Sequence, residues 1–277
     1  MTETGGRIAV PTALGRVSVA THGDGRPTLL WHSMFVDGTS WDELLPLLGG
    51  DRRLLVVDGP GYGWSDPLRR VVGVSESVRV AEQVVNALAP GEPVDWVGNA
   101  WGGHVGMELA ATRPALVRSL VAISAPTQPI DAAARRRIQL LIPVLRAVGP
   151  VGPVRDAVLT GVLTDASRQQ ARIVDIVQAG LARPSRASLA NTVRSFILNR
   201  IDIAGLLPRI QAPSLFVAGS DRGDWTPKQA AAAAALVSDA ETTVVSGGRT
   251  LIPLEQPAAL ARTLLDFWAR LDARQRR

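Results

Sequence analysis

The residues whose types and spacing come nearest to chemistry lie in VDWVGNAWGGHVG, Val94 to Gly106. An apolar run ends at Gly98, and a helix-like segment opens around Gly102 and Gly103. The frame Gly98-Asn99-Ala100-Trp101-Gly102 has the spacing of a nucleophile elbow, G-x-S-x-G, set between a strand and a helix. Such a turn lifts one nucleophilic side chain out of the sheet. Here the central position is Ala100, which has no nucleophilic atom. The backbone keeps something to offer. The N–H of Trp101, at a helix N-terminus, can hold a carbonyl oxygen or an anion whatever the side chain at 100.

Proton carriers are scarce. Imidazole is the side chain that titrates near neutral pH, and the chain has three: His22, His32 and His104. His22 falls in an early hairpin and is expected at the surface. His104 lies in the helix after the elbow and reads as a core histidine with its ring satisfied. His32 ends the apolar run PTLLWH. The segment AGSDRGDWTP adds two acids, Asp221 nearer a strand end and Asp224 nearer Pro227. Asp37, Trp41, Tyr62, Trp64 and Trp225 stand in loops or helix starts near strand C-terminal ends, where open α/β sheets bind ligands. Packing explains each aromatic at least as well as ligand contact. Asn99, beside the elbow, is a further candidate donor. With no cysteine there is neither thiolate chemistry nor a disulfide, which fits a reducing compartment. No metal-ligand cluster, P-loop or dinucleotide fingerprint is present, so no cofactor is expected.

The elements that must position these residues are legible from periodicity. RIAV and GRVSVATHG alternate and read as antiparallel edge strands. PTLLWH, RRLLVVDG, PVDWVGN, VRSLVAIS and APSLFVAGSD are continuous apolar runs, as buried parallel strands are. Helical spacing occurs in DGTSWDELLPLLGG (Thr39 or Ser40 as N-cap), in SESVRVAEQVVNALAPG (a serine cap), after the elbow, in PKQAAAAAALVSD and in EQPAALARTLLDFWARL. From about Thr127 to Arg209 the pattern is helical throughout. Strands alternating with helices imply a doubly wound, mostly parallel sheet of the α/β class, with the helical block inserted over one edge. At 277 residues, 46% hydrophobic and 20% charged, the chain is long and apolar enough for one large folded core. The net charge of +5 is scattered arginine without interleaved aromatics, so nucleic acid is not an expected partner. No run of about 18 apolar residues occurs, so no membrane span is expected. MTETGGRIAV lacks a basic region followed by an apolar core, so a cytoplasmic protein is expected.

Five segments in order resemble the α/β-hydrolase family over nearly the whole length. LLWHSMFVDGTSW is similar to its oxyanion loop, with His32 and Ser33 in the His-Gly places. VVDGPGYGWSDP is similar to its D-x-P-G-x-G-x-S-D segment, VGNAWGGHVG to its elbow, and RPALVRSLVAIS to the stretch beyond. SGGRTLIPLEQP is similar to the segment that carries the family's histidine. The resemblance implies a core of residues 1–126 and 210–277 with a helical cap at 127–209. It implies an oxyanion hole from the amides of Trp101 and of Ser33 or Met34. It also exposes a degenerate triad, because Ala100 takes the nucleophile position and Arg249 the histidine position. Arginine stays protonated and cannot serve as base.

Three functions remain open from the sequence. The first is a cofactor-independent, non-hydrolytic enzyme of isomerase, cyclase or lyase type, acting on a small apolar carbonyl- or carboxylate-bearing metabolite. Oxyanion amides and Arg249, expected at the pocket floor, would stabilise charge, and Asp221, Asp224 or His32 would move the proton. The second is a ligand-binding protein without turnover. The third is an ester, epoxide or haloalkane hydrolase carrying an inactivating residue at 100. The expected partner is a small molecule, and a homodimer is compatible with the chain.

Overall fold

The computed structural model describes residues 6–221 and 223–276. An eight-stranded sheet runs through the molecule in the order β1-β2-β4-β3-β5-β6-β7-β8. β1 (Arg7–Thr12) and β2 (Gly15–His22) form an antiparallel hairpin, with Val10 opposite Val17, and β2 continues antiparallel onto β4 (Arg52–Val57). β3 (Arg26–Trp31), β5 (Val94–Asn99), β6 (Val117–Ile123), β7 (Ser214–Gly219) and β8 (Ala240–Val245) extend it in parallel.

The central strands are apolar on both faces because both faces are covered. On one side Leu29, Trp31, Leu55, Trp96 and Leu120 join a core with α1 (Val74–Leu88) and α2 (Trp101–Thr112). On the other, Leu30, Val56, Val97 and Val121 meet Trp41, Leu44 and the Leu260, Leu264, Phe267 and Trp268 face of the last helix. β4 lies on one side of β3 and β5 on the other, so the direction of winding reverses at β3. A crevice at the C-terminal ends of β3 and β5 is the consequence, and it is where such sheets hold ligands.

Four further helices lie between β6 and β7: α3 (Ala132–Val148), α4 (Pro153–Val162), α5 (Ala171–Ala182) and α6 (Arg186–Val193), the last running into a π turn at Arg194–Leu198. α3 packs on α4 and α6, and α4 on α5. Asp131 caps α3 by accepting from the Ala134 amide, and Ser185 caps α6 by accepting from Ser188. After β7 come α7 (Pro227–Ala234), α8 (Ile252–Glu255) and α9 (Pro257–Gln275).

Two expected elements differ. DGTSWDELLPLLGG forms no α-helix but two short 3₁₀ turns, Gly38–Trp41 and Leu45–Leu47. The cap is Asp37, whose carboxylate accepts from both the backbone and the hydroxyl of Thr39, and Pro46 stops the first turn from continuing as a helix. α1 starts from Gly73 and not from a serine: Glu76 reaches back to accept from the Gly73 amide.

Candidate functional site

The elbow forms where β5 ends. Ala100 sits at φ 48°, ψ −103°, between the last strand residue and the first of α2. Its amide donates to the Ile123 carbonyl at 2.7 Å, which pins the turn to β6. The chain can turn this tightly only because its neighbours lack side chains. A Cβ on Gly102 would stand 2.1 Å from the Trp31 carbonyl oxygen, and one on Gly98 would stand 2.2 Å from that of Gly102. Trp101 opens α2, so its N–H is one of the helix-start amides that have no intrahelical acceptor. Its ring is locked by stacking on Phe196 at 4.3 Å and by an edge contact with Trp31 at 5.5 Å.

Above the elbow lies a cavity of about 290 Å³. Its core side is Ser33, Met34, Phe35, Ala100 and Trp101. Its outer wall is apolar and comes from the inserted helices: Ile138, Leu141 and Leu145 of α3, Val154 and Val158 of α4, Leu181 of α5, and Leu189 and Val193 of α6. Among the described residues three that are not glycine have positive φ: Phe35, Ala100 and Ser124. All three line this cavity. Each such conformation costs about 1–3 kcal/mol and persists where the surroundings impose it, typically at functional sites. The amides of Ser33 and Met34 make no backbone hydrogen bond among the described residues, while that of Phe35 serves the Tyr62 hydroxyl.

The remaining candidate residues other than Asp224 are placed outside the cavity, each for a visible reason. The guanidinium of Arg249 is spent elsewhere: one nitrogen donates to the Thr160 carbonyl at 2.6 Å and another to Asp221 at 3.2 Å. It therefore bridges α4 to the end of β7 and does not form the pocket floor. Asp221 is correspondingly its partner and does not reach the elbow. His32 is fully buried. Its Nε2 accepts from the Gly59 amide at 2.9 Å and its Nδ1 donates to the Ser33 carbonyl at 2.6 Å. Burial pushes its pKa down, and with both nitrogens engaged it is a neutral strut of the loop and not a proton carrier. Asn99 donates to the carbonyls of Ile123 and Thr250, so neither amide hydrogen is left for a ligand. Asp37 caps its turn and pairs with Arg183. Trp41 belongs to the core on the opposite face of the sheet, and Trp225 packs in the first core. Tyr62 stands behind Trp101 and Met34, bonded to Thr192. Trp64 is half exposed, between the guanidinium groups of Arg7 and Arg183.

Asp224 does line the cavity, paired with Arg200 at 2.8 Å. Arg200, Ser124, Thr250 and His104 complete the polar part of the lining, and sequence reasoning places none of them in the site. The expectation of a satisfied core histidine at 104 holds only in part. The residue is buried, but only its Nδ1 has a partner, the Pro126 carbonyl at 3.3 Å, while Nε2 has none. Burial first, and the Arg200 charge second, pull its pKa down to about 4. One signal was available: His104 lies four residues after Ala100, on the same face of the helix. Arg200 carried none, because it reaches the cavity only through the fold of the inserted helices.

The alpha/beta hydrolase family model matches residues 21–263. The chain belongs to the α/β-hydrolase family. Among curated members it is similar to the protein named as putative carbamate hydrolase RutD in Variovorax paradoxus, 29% identical over 90% of this chain and 94% of that one. It is also similar to the pimeloyl-(acyl-carrier protein) methyl ester esterase of Photobacterium profundum, 26% identical over 89% and 96%. Among solved structures, a thermophilic esterase from Thermogutta terrifontis superposes with a TM-score of 0.84 at 22% identity, covering 96% of this chain and 98% of the other. No helix among the described residues is long and apolar enough to cross a membrane, and no group of three His, Cys, Asp or Glu among them could hold a metal ion.

Proposed function

We propose that this chain is a ligand-binding member of the α/β-hydrolase family that does not carry out acyl transfer. Residues 127–209 act as a cap over a core of 1–126 and 210–277. The cavity between them takes a small, largely apolar molecule, and the amides of Trp101 and Met34 or Ser33 hold its carbonyl or carboxylate oxygen. One observation carries the reading: three strained turns converge on the same apolar cavity, yet the residue at the elbow presents only a methyl group. Strain kept without a nucleophile favours a role for the backbone around it. Arg249 and His32 are both engaged away from the cavity, so neither supplies a base to position 100.

Isomerase, cyclase or lyase chemistry has less support, since two of its three proposed proton carriers are occupied and the third, Asp224, is held by Arg200. The names of the relatives favour a second reading, a hydrolase whose elbow residue has been replaced. The binding itself is tested with a carbonyl probe that has no bond to hydrolyse. With 2-octanone, calorimetry should give saturable binding, and the Trp101 amide resonance should shift with it. Saturable binding without a Trp101 shift would remove the amides from the reading. No binding at all would remove the ligand.

A further inference from the structure

α3 is apolar on two sides, and only one of them faces the protein. Its inner side, with Ile138, Leu141 and Leu145, walls the cavity. Its outer side carries Leu140, Val144 and Val148, spaced four apart and so in one row along the helix. They are 71%, 39% and 51% exposed, and Val151, just beyond the helix, is 53% exposed. Single exposed apolar residues are ordinary, whereas a continuous apolar row marks a contact surface. The same row begins at Arg136, with Arg137 beside it. Both are exposed, as is Arg146 nearer the other end, and none of the three has a carboxylate partner among the described residues. Asp131 is used as the cap of α3, and Asp156 of α4 pairs with Arg155. The bias extends to the whole inserted segment. Residues 127–209 hold 12 of the 30 basic residues and 5 of the 25 acidic ones, which leaves the rest of the chain slightly acidic. The apolar row thus belongs to the positive part of the molecule. That combination fits an anionic lipid surface: aliphatic side chains enter the headgroup boundary while the arginines meet lipid phosphates. A second copy of the chain fits poorly, since pairing α3 with α3 would press one positive face on another.

We infer that the outer face of α3 docks this protein reversibly on an anionic lipid surface. The contact is one of surface only, since no helix among the described residues could span a bilayer. One helix, about 10 Å across, then separates the lipid from the cavity. The docking does not depend on the ligand-binding reading above.

The test is co-sedimentation of the wild-type protein with vesicles of phosphatidylcholine alone, and with vesicles of phosphatidylcholine and phosphatidylglycerol in equal parts. Binding is expected to the mixed vesicles only, and it should weaken as salt is added. Arg136→Gln with Arg137→Gln should weaken it by about tenfold. Leu140→Glu with Val148→Glu should abolish it at an unchanged urea midpoint, since both side chains are exposed. Undiminished vesicle binding by that last variant would overturn the assignment to α3. Equal binding to both kinds of vesicle would overturn the anionic surface, and binding to neither would overturn docking on lipid altogether. A dimer in sedimentation equilibrium that Leu140→Glu dissociates would give the row to a second copy and overturn the inference likewise. The 2-octanone titration is a separate readout: its failure removes the ligand and leaves the vesicle result standing.

Discussion

At position 104 an imidazole with one free nitrogen sits where water does not reach, and its titration is measurable. Its folded pKa is lowered, to about 4, from an ordinary value of 6.5, by burial first and the Arg200 charge second. The unfolded chain therefore binds this proton more readily than the folded one. The contribution to stability is full above pH 6.5 and is lost as pH falls from 6.5 towards 4, reaching about 3 kcal/mol at the acid end. Urea midpoints taken from pH 7 to 5 should fall steeply in the wild type and less steeply in His104→Gln. Some slope should remain, because His32 is lowered in the same direction. Parallel slopes would show that another group governs the acid limb. Arg249 makes a different prediction. It ties the Thr160 carbonyl of α4 to Asp221 beside β7, and its side chain is 14% exposed. Arg249→Met should cost about 2 kcal/mol of stability and leave affinity for an apolar ligand unchanged. A large loss of affinity would return Arg249 to the binding site. The identities at 100 and 249 were plain in the sequence. The partners of His104 and Asn99 were not, nor was the Thr160 carbonyl on Arg249, because each is a backbone carbonyl brought in from a distant segment.

The elbow is fixed at the scale of the element, by the close approach of β3, β5 and α2. Gly102→Ala would push a methyl carbon to 2.1 Å from the Trp31 carbonyl, where no side chain can yield. It should cost more than about 4 kcal/mol or prevent folding, read from denaturant midpoints or soluble yield. A folded Gly102→Ala protein of normal stability would mean that the elbow is looser than described. The strands were legible because fully buried parallel strands read as unbroken apolar runs, and the antiparallel hairpin because it alternates. The segment after β3 was not. Its apolar spacing suits a helix, but Asp37 captures Thr39 and Pro46 breaks the pattern, so two 3₁₀ turns form instead. Local hydrogen bonds there overrode periodicity.

For the whole molecule, the cavity lies at the C-terminal ends of the strands and a charged network closes the other end. Asp95, fully buried at the start of β5, accepts from Arg52 at 2.7 Å, from Arg118 at 2.8 Å and from Ser119 at 2.6 Å. Arg118 and Arg26 continue to Asp272 on α9, and Arg52 lies over the Trp268 ring at 3.6 Å. Asp95→Ala strands a buried guanidinium and should cost about 3–5 kcal/mol, by chemical unfolding, without changing affinity at the distant cavity. The α/β architecture was legible from alternating strands and helices, whereas the shape of the cavity depends on how α3 to α6 pack, which spacing alone does not encode. The central claim is that this cavity binds without acyl transfer. Its most direct test gives the wild-type protein methyl octanoate and tracks binding and product together, beside Ala100→Ser and the double variant Ala100→Ser, Arg249→His. Saturable binding with no octanoate is expected from the wild type and from Ala100→Ser, which keeps an arginine at 249. Octanoate above background is expected only from the double variant. Saturable release of octanoate by the wild-type protein would contradict the claim.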